Sequence, residues 1–97
     1  MPQTFTEKNT RDTRLHDILS THLSPKMLTI SNQSDKHKHH SGDDGTGETH
    51  YDITIIADAF AGLSRINRHR LVTDLLTAEL NSGLHALSLT LKTPQEV

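Results

Sequence analysis

Residues 49–94 read THYDITIIADAFAGLSRINRHRLVTDLLTAELNSGLHALSLTLKTP, and this stretch decides the fold. It opens in strict alternation: Tyr51, Ile53, Ile55 and Ala57 share one face, opposite His50, Asp52 and Thr54. A period of two is the mark of a half-buried strand. It closes the same way over residues 85–93, with Leu87, Leu89 and Leu91 inward and Ser88, Thr90 and Lys92 outward, until Pro94 ends the strand. Between the two, Ser64 is suited to cap a long helix running through Asn81, with Leu71, Val72, Leu75, Leu76 and Leu80 as its apolar stripe. Asn81, Ser82 and Gly83 supply the chemistry that ends a helix. Residues 59–62 predict a turn with a short helical piece. Strand, helix and strand in succession predict a parallel, right-handed crossover within one sheet.

Toward the N-terminus, the chain is helical from Glu7, with Leu15, Ile18, Leu19 and Leu23 forming one apolar stripe. That helix must stop before Pro25, because the residue preceding a proline is pushed out of the α region. Met27–Asn32 alternates, Leu28 and Ile30 against Thr29 and Ser31, which predicts a short strand antiparallel to the next. Counting the small helical turn, the order is α-β-β-α-α-β. The fold class is α+β: a three-stranded mixed sheet with helices on one face. The 97 residues form one domain, frayed over residues 1–6. Residues 33–48 hold three glycines and no apolar side chain. They read as a long polar loop, far beyond the usual hairpin connection of about two to five residues, and loops of that length are functional or disordered.

Composition narrows the function. A chain this short buries a modest share of its surface, so a deep enclosed catalytic cavity is not expected. The formal net charge is −2, which argues against a strong general field for nucleic acid. No apolar run is long enough to cross a bilayer, and the N-terminal residues lack the apolar region of a secretory signal, so no membrane role and a cytoplasmic location are expected. There are eight histidines and no cysteine. Such a chain offers a metal imidazoles and carboxylates only, and thiolate-dependent metal chemistry has to borrow its sulfur from a partner.

Three segments, LSPKMLTISNQS, then GETHYDITIIADAFAGLSRINRHRLVTDLL, then ELNSGLHALSLTLKTPQE, resemble the BolA-like proteins. The resemblance runs from about Leu15 to Glu96. It rests on four motifs in order: Glu48-Thr49-His50, Phe60-x-Gly62, Arg68-His69-Arg70 and His85-Ala86-Leu87. It implies a class II KH-like fold, in agreement with the order above. It also implies two activities: pairing with a monothiol glutaredoxin around a shared [2Fe–2S] cluster, and, for some bacterial members, DNA binding as transcriptional regulators.

The histidines divide accordingly. By alternation His85 points with Leu87, Leu89 and Leu91, and an isolated histidine there reads as a partly covered, hydrogen-bonded ring at a strand end. The resemblance instead makes it a ligand of the shared cluster. A second ligand is implied in the loop, at His37, with His39 and His40 as alternatives; the same loop reads equally as solvated polar surface or as a weak nickel, copper or zinc site. His50 reads as structural or interface-forming, and His16 and His22 as surface positions. His69, Arg68 and Arg70 fall in the first turns of the long helix, where cations oppose the macrodipole. They are expected to meet an anionic partner or the far end of the sheet.

Two functions follow from the resemblance. One is an iron–sulfur partner in iron sensing or cluster trafficking, with a cluster held by a glutaredoxin cysteine, a glutathione thiol and two imidazoles of this chain, and none in the isolated chain. The other is a DNA-binding regulator using residues 60–80 as a helix-turn-helix, with Arg65, Arg68, His69 and Arg70 toward the nucleic acid. Against the second stand the negative charge, three aromatics and the missing Gly-x-x-Gly clamp, the turn reading Gly62-Leu63-Ser64-Arg65. An enzyme is not expected, since no nucleophile motif or phosphate-cradling loop is present. The chain is expected to be a monomer or a weak homodimer.

Overall fold

The computed structural model describes residues 10–34 and 49–97. Helix α1 (Arg11–Leu23) is followed by strands β1 (Met27–Asn32) and β2 (His50–Ile56), a 3₁₀ turn over Asp58–Phe60, helices α2 (Arg65–Leu75) and α3 (Thr77–Asn81), strand β3 (Ala86–Lys92) and a final 3₁₀ turn over Pro94–Glu96. The sheet order is β1-β2-β3, with β1 antiparallel and β3 parallel to the central β2. The α+β architecture and the mixed sheet agree with the expectation.

The alternation of β2 is obeyed in full. Tyr51, Ile53, Ile55 and Ala57 are buried, and Leu28, Ile30, Leu87, Leu89 and Leu91 of the flanking strands pack beside them, partly covered. Leu15, Leu19 and Leu23 of α1, Phe60 of the turn, and Val72, Leu76 and Leu84 complete the core. Burying one such aliphatic side chain is worth about 1.5–3 kcal/mol, so this face holds the helices on the sheet. The opposite face carries the exposed Thr29, Asp52, Ser88 and Thr90.

Three boundaries differ from expectation. Helix α1 begins at Arg11, because the extended Thr10 caps it, its side chain accepting from the Thr13 N–H; the expected start at Glu7 lies outside the described residues. The helix expected through Asn81 breaks at Leu76. There the hydroxyl of Thr77 donates to the carbonyls of Asp74 and Thr73, and the Leu76 N–H is shared between the carbonyls of Val72 and Thr73. Threonine back-bonding of this kind bends helices. The break turns Leu80 outward, 36% exposed, and turns Glu79 inward, where Arg11 and Arg14 hold it at 2.8 and 2.9 Å. Finally, β3 starts at Ala86, and His85 stands before it, exposed; the core position here belongs to the buried Leu84.

Candidate functional site

The parallel register sets His50 beside Ala86, and the antiparallel register sets Asn32 beside Tyr51. The end of β1, the start of β2 and the start of β3 therefore meet at one edge of the sheet. His50 and His85 come together there, with ring centroids 6.5 Å apart and planes tilted by 35°. Sequence reasoning placed His85 among the inward leucines; the structure corrects this, because His85 leaves the alternation before β3 begins.

The backbone under the two rings is fixed. The Thr49 carbonyl accepts from the N–H groups of both His85 (2.8 Å) and Ala86 (3.1 Å). The buried hydroxyl of Ser34 accepts from the N–H groups of Thr49 (2.9 Å) and His50 (3.0 Å). The Ser34 N–H in turn donates to the Asn32 side-chain carbonyl, an Asx turn. The Thr49 hydroxyl meets His50 Nδ1 at 2.7 Å. Sequence reasoning missed Ser34 and Thr49 as organisers of this edge. An Asn-x-Ser step leaving a strand is the signal that points to the first of them. His37, His39 and His40 lie outside the described residues.

The edge is open, with His85 exposed, His50 half-buried and a shallow depression of about 260 Å³ beside His50, Asp52 and Ser88. Imidazoles so placed are suited to metal ligation, because their anchored backbones leave little freedom to lose on binding. Among the described residues, no group of three or more His, Cys, Asp or Glu is arranged to hold a metal ion by itself.

The second expected site separates. Arg65, His69 and Arg70 are exposed on α2. Arg68 is not free in the same way: its guanidinium grips Glu96 at 2.6 and 2.9 Å and also donates to the Leu63 and Leu91 carbonyls. It meets the far end of the sheet, one of the two outcomes anticipated for it. A groove of about 700 Å³ runs here between α2 and β3, with Arg65, His69 and Lys92 on its rim and Leu89 and Leu91 along its wall.

Residues 19–96 match the BolA-like protein family. The chain is 46% identical over 93 residues to SufE-like protein 1, chloroplastic/mitochondrial, of Arabidopsis thaliana, covering 90% of this chain and 24% of that protein. It is 38% identical over 78 residues to the DNA-binding transcriptional regulator BolA of Vibrio cholerae, covering 80% of this chain and 70% of that one. Among solved structures, BolA1 from Arabidopsis thaliana superposes with a TM-score of 0.84 at 41% identity, over 92% of this chain and 97% of that one. The match over most of the chain and the shared fold agree, and the chain belongs to the BolA-like family.

Proposed function

We propose that this chain is the partner of a monothiol glutaredoxin, co-ligating a shared [2Fe–2S] cluster through histidine, with a role in iron sensing or cluster trafficking and no substrate turnover. The observation that supports this most directly is His85: an exposed imidazole on an anchored backbone, in a chain without cysteine. The donor set fits one half of a mixed-ligand cluster, with the thiolates to come from glutaredoxin and glutathione. His85 is the first ligand in this reading; the second is His37, with His39 or His40 as alternatives. The cluster supplies one-electron chemistry and exchangeable iron when bound, and imidazole in place of thiolate raises its potential. What the chain contributes is position. The Thr49 carbonyl fixes the His85 backbone.

The test is reconstitution of the chain with a monothiol glutaredoxin, glutathione, iron and sulfide, followed by visible absorption and circular dichroism. A mixed-complex spectrum distinct from that of the glutaredoxin alone, and lost in His85→Ala, is the expected result. An unchanged spectrum in His85→Ala sinks the ligand assignment. Size-exclusion of the free chain checks the monomer or weak dimer, and cell fractionation checks the cytoplasmic location. Two of the Arabidopsis thaliana relatives are named as organellar, one chloroplastic/mitochondrial and one chloroplastic.

A second reading, a DNA-binding regulator, is favoured by the basic-rimmed groove between α2 and β3 and by the name of the Vibrio cholerae relative. Its first helical element is only the three-residue turn Asp58–Phe60, short for a helix-turn-helix. Binding titrations at two salt concentrations test it: affinity that vanishes near physiological salt for every sequence reduces it to non-specific contact.

A further inference from the structure

The pairing of His50 with His85 is not used by the cluster reading, which draws its second ligand from another segment. We infer that His50 and His85 form a two-imidazole site for a single divalent transition-metal ion in the chain alone, with Cu²⁺ the tightest binder. With metal–nitrogen bonds of about 2.0–2.1 Å, two imidazoles on one ion have ring centroids roughly 5 to 6.5 Å apart. The observed 6.5 Å stands at the open end of that range. His85 is exposed, so a small turn of its side chain closes the remaining gap without disturbing the core.

His50 brings the outer support that metal-binding histidines share. Its Nδ1 meets the Thr49 hydroxyl at 2.7 Å, which orients the ring. Both rings hang from the same residue, since Thr49 also fixes the His85 backbone through its carbonyl. Two imidazoles without a thiolate select a borderline ion, and affinity across the first-row series peaks at Cu²⁺. Among the described residues, no third His, Asp or Glu joins the pair.

The site needs no glutaredoxin, glutathione or sulfide, so it does not stand or fall with the cluster. It does share His85 with it. A mononuclear ion on this pair and a shared cluster therefore exclude one another, which makes the pair a point where divalent metal blocks the partnership.

The test is a Cu²⁺ titration of the full chain, free of glutaredoxin, followed by electron paramagnetic resonance and visible absorption. It is run on a background of H37N/H39N/H40N, which removes the other clustered imidazoles. The expected result is one nitrogen-coordinated Cu²⁺ per chain, weakened at least about tenfold by either H50N or H85N, with far-ultraviolet circular dichroism confirming the fold. Unaltered affinity in H50N overturns the assignment, as does loss of binding in the H37N/H39N/H40N background. A second measurement uses wild-type chain and Zn²⁺: the ring Cε1–H resonances of His50 and His85 shift together. If they do not move with added Zn²⁺, the pair is not a site.

Discussion

Arg68 and Glu96 meet edge to edge, Nη1 donating to Oε1 at 2.6 Å and Nη2 to Oε2 at 2.9 Å, across 28 residues of sequence. The same guanidinium holds the Leu63 carbonyl before α2 and the Leu91 carbonyl near the end of β3. Glu96 also accepts from the Thr93 N–H, closing a capping box around the last turn. One side chain thus ties the entry of α2, the end of β3 and the C-terminal turn together.

This pairing sets an acid dependence. The Arg68 hydrogen bond first, and the Thr93 N–H after it, hold the Glu96 carboxyl at about 2, below its ordinary 4.5. A carboxyl lowered on folding stabilises the native state fully above its unfolded value, and that contribution is lost as pH falls through the folded value. The window is therefore from about 4.5 down to about 2. The pair is partly exposed, so the effect on global stability is small, and the local signal is the sharper one. A carbon-detected titration of the Glu96 carboxyl should show a midpoint well under 4, with the Thr93 amide following it. A midpoint near 4.5 contradicts the account.

The arginines of α2 should then divide in their effects. Arg65 and Arg70 are exposed, whereas the Arg68 fork is spent on Glu96 and two carbonyls. If the α2 surface contacts phosphates, Arg65→Ala or Arg70→Ala reduces the salt slope of DNA binding by about one each. Arg68→Ala acts instead on thermal stability. Equal loss of salt slope from all three substitutions contradicts this division.

How far the sequence reached is clear from particular residues. The strands were legible because their period is two and their partners are adjacent: the Tyr51, Ile53, Ile55 and Ala57 face is buried as expected. The helical stripe was legible to Leu76 and failed at Leu80, because a threonine hydroxyl three to four residues from its acceptors competes with the helix, which periodicity does not register. Glu79 was invisible for a related reason. Its partners Arg11 and Arg14 lie 68 and 65 residues away, and a buried charge is recognised only once they are in place. His85 was singled out from its motif, but its neighbour His50 emerges only from the parallel register that sets His50 beside Ala86.

The Arg11–Glu79 pair gives a stability prediction with an internal control. Both side chains are nearly buried, at 5% and 7% exposure, and Arg11 also donates to the Glu79 carbonyl and to Ser82. Removing one partner strands the other as a buried charge, at a cost of about 3–5 kcal/mol. Glu79→Leu is expected to lower unfolding stability by that amount in urea melts. Replacing both, Arg11→Met with Glu79→Leu, is expected to recover most of the loss, since no buried charge is then stranded and the other partner of Glu79, Arg14, is 36% exposed and reaches water. Losses that simply add would show that packing, not the stranded charge, dominates.

Ser34 gives the prediction closest to the histidine edge. Its hydroxyl is the acceptor for two successive N–H groups, those of Thr49 and His50, and it is 1% exposed. Ser34→Ala leaves both donors without that acceptor and admits no bulkier group in exchange. A buried polar group left unsatisfied costs about 1–3 kcal/mol, and water reaching the half-buried His50 N–H lowers the sum, so a loss of about 2 kcal/mol is expected. The displacement should be local: amide hydrogen exchange speeds at Thr49, His50 and His85, whose N–H depends on the Thr49 carbonyl, while Ile53 and Ile55 in the middle of β2 keep their protection. Uniform loss of protection along β2 would mean that Ser34 supports the whole sheet and not this edge alone.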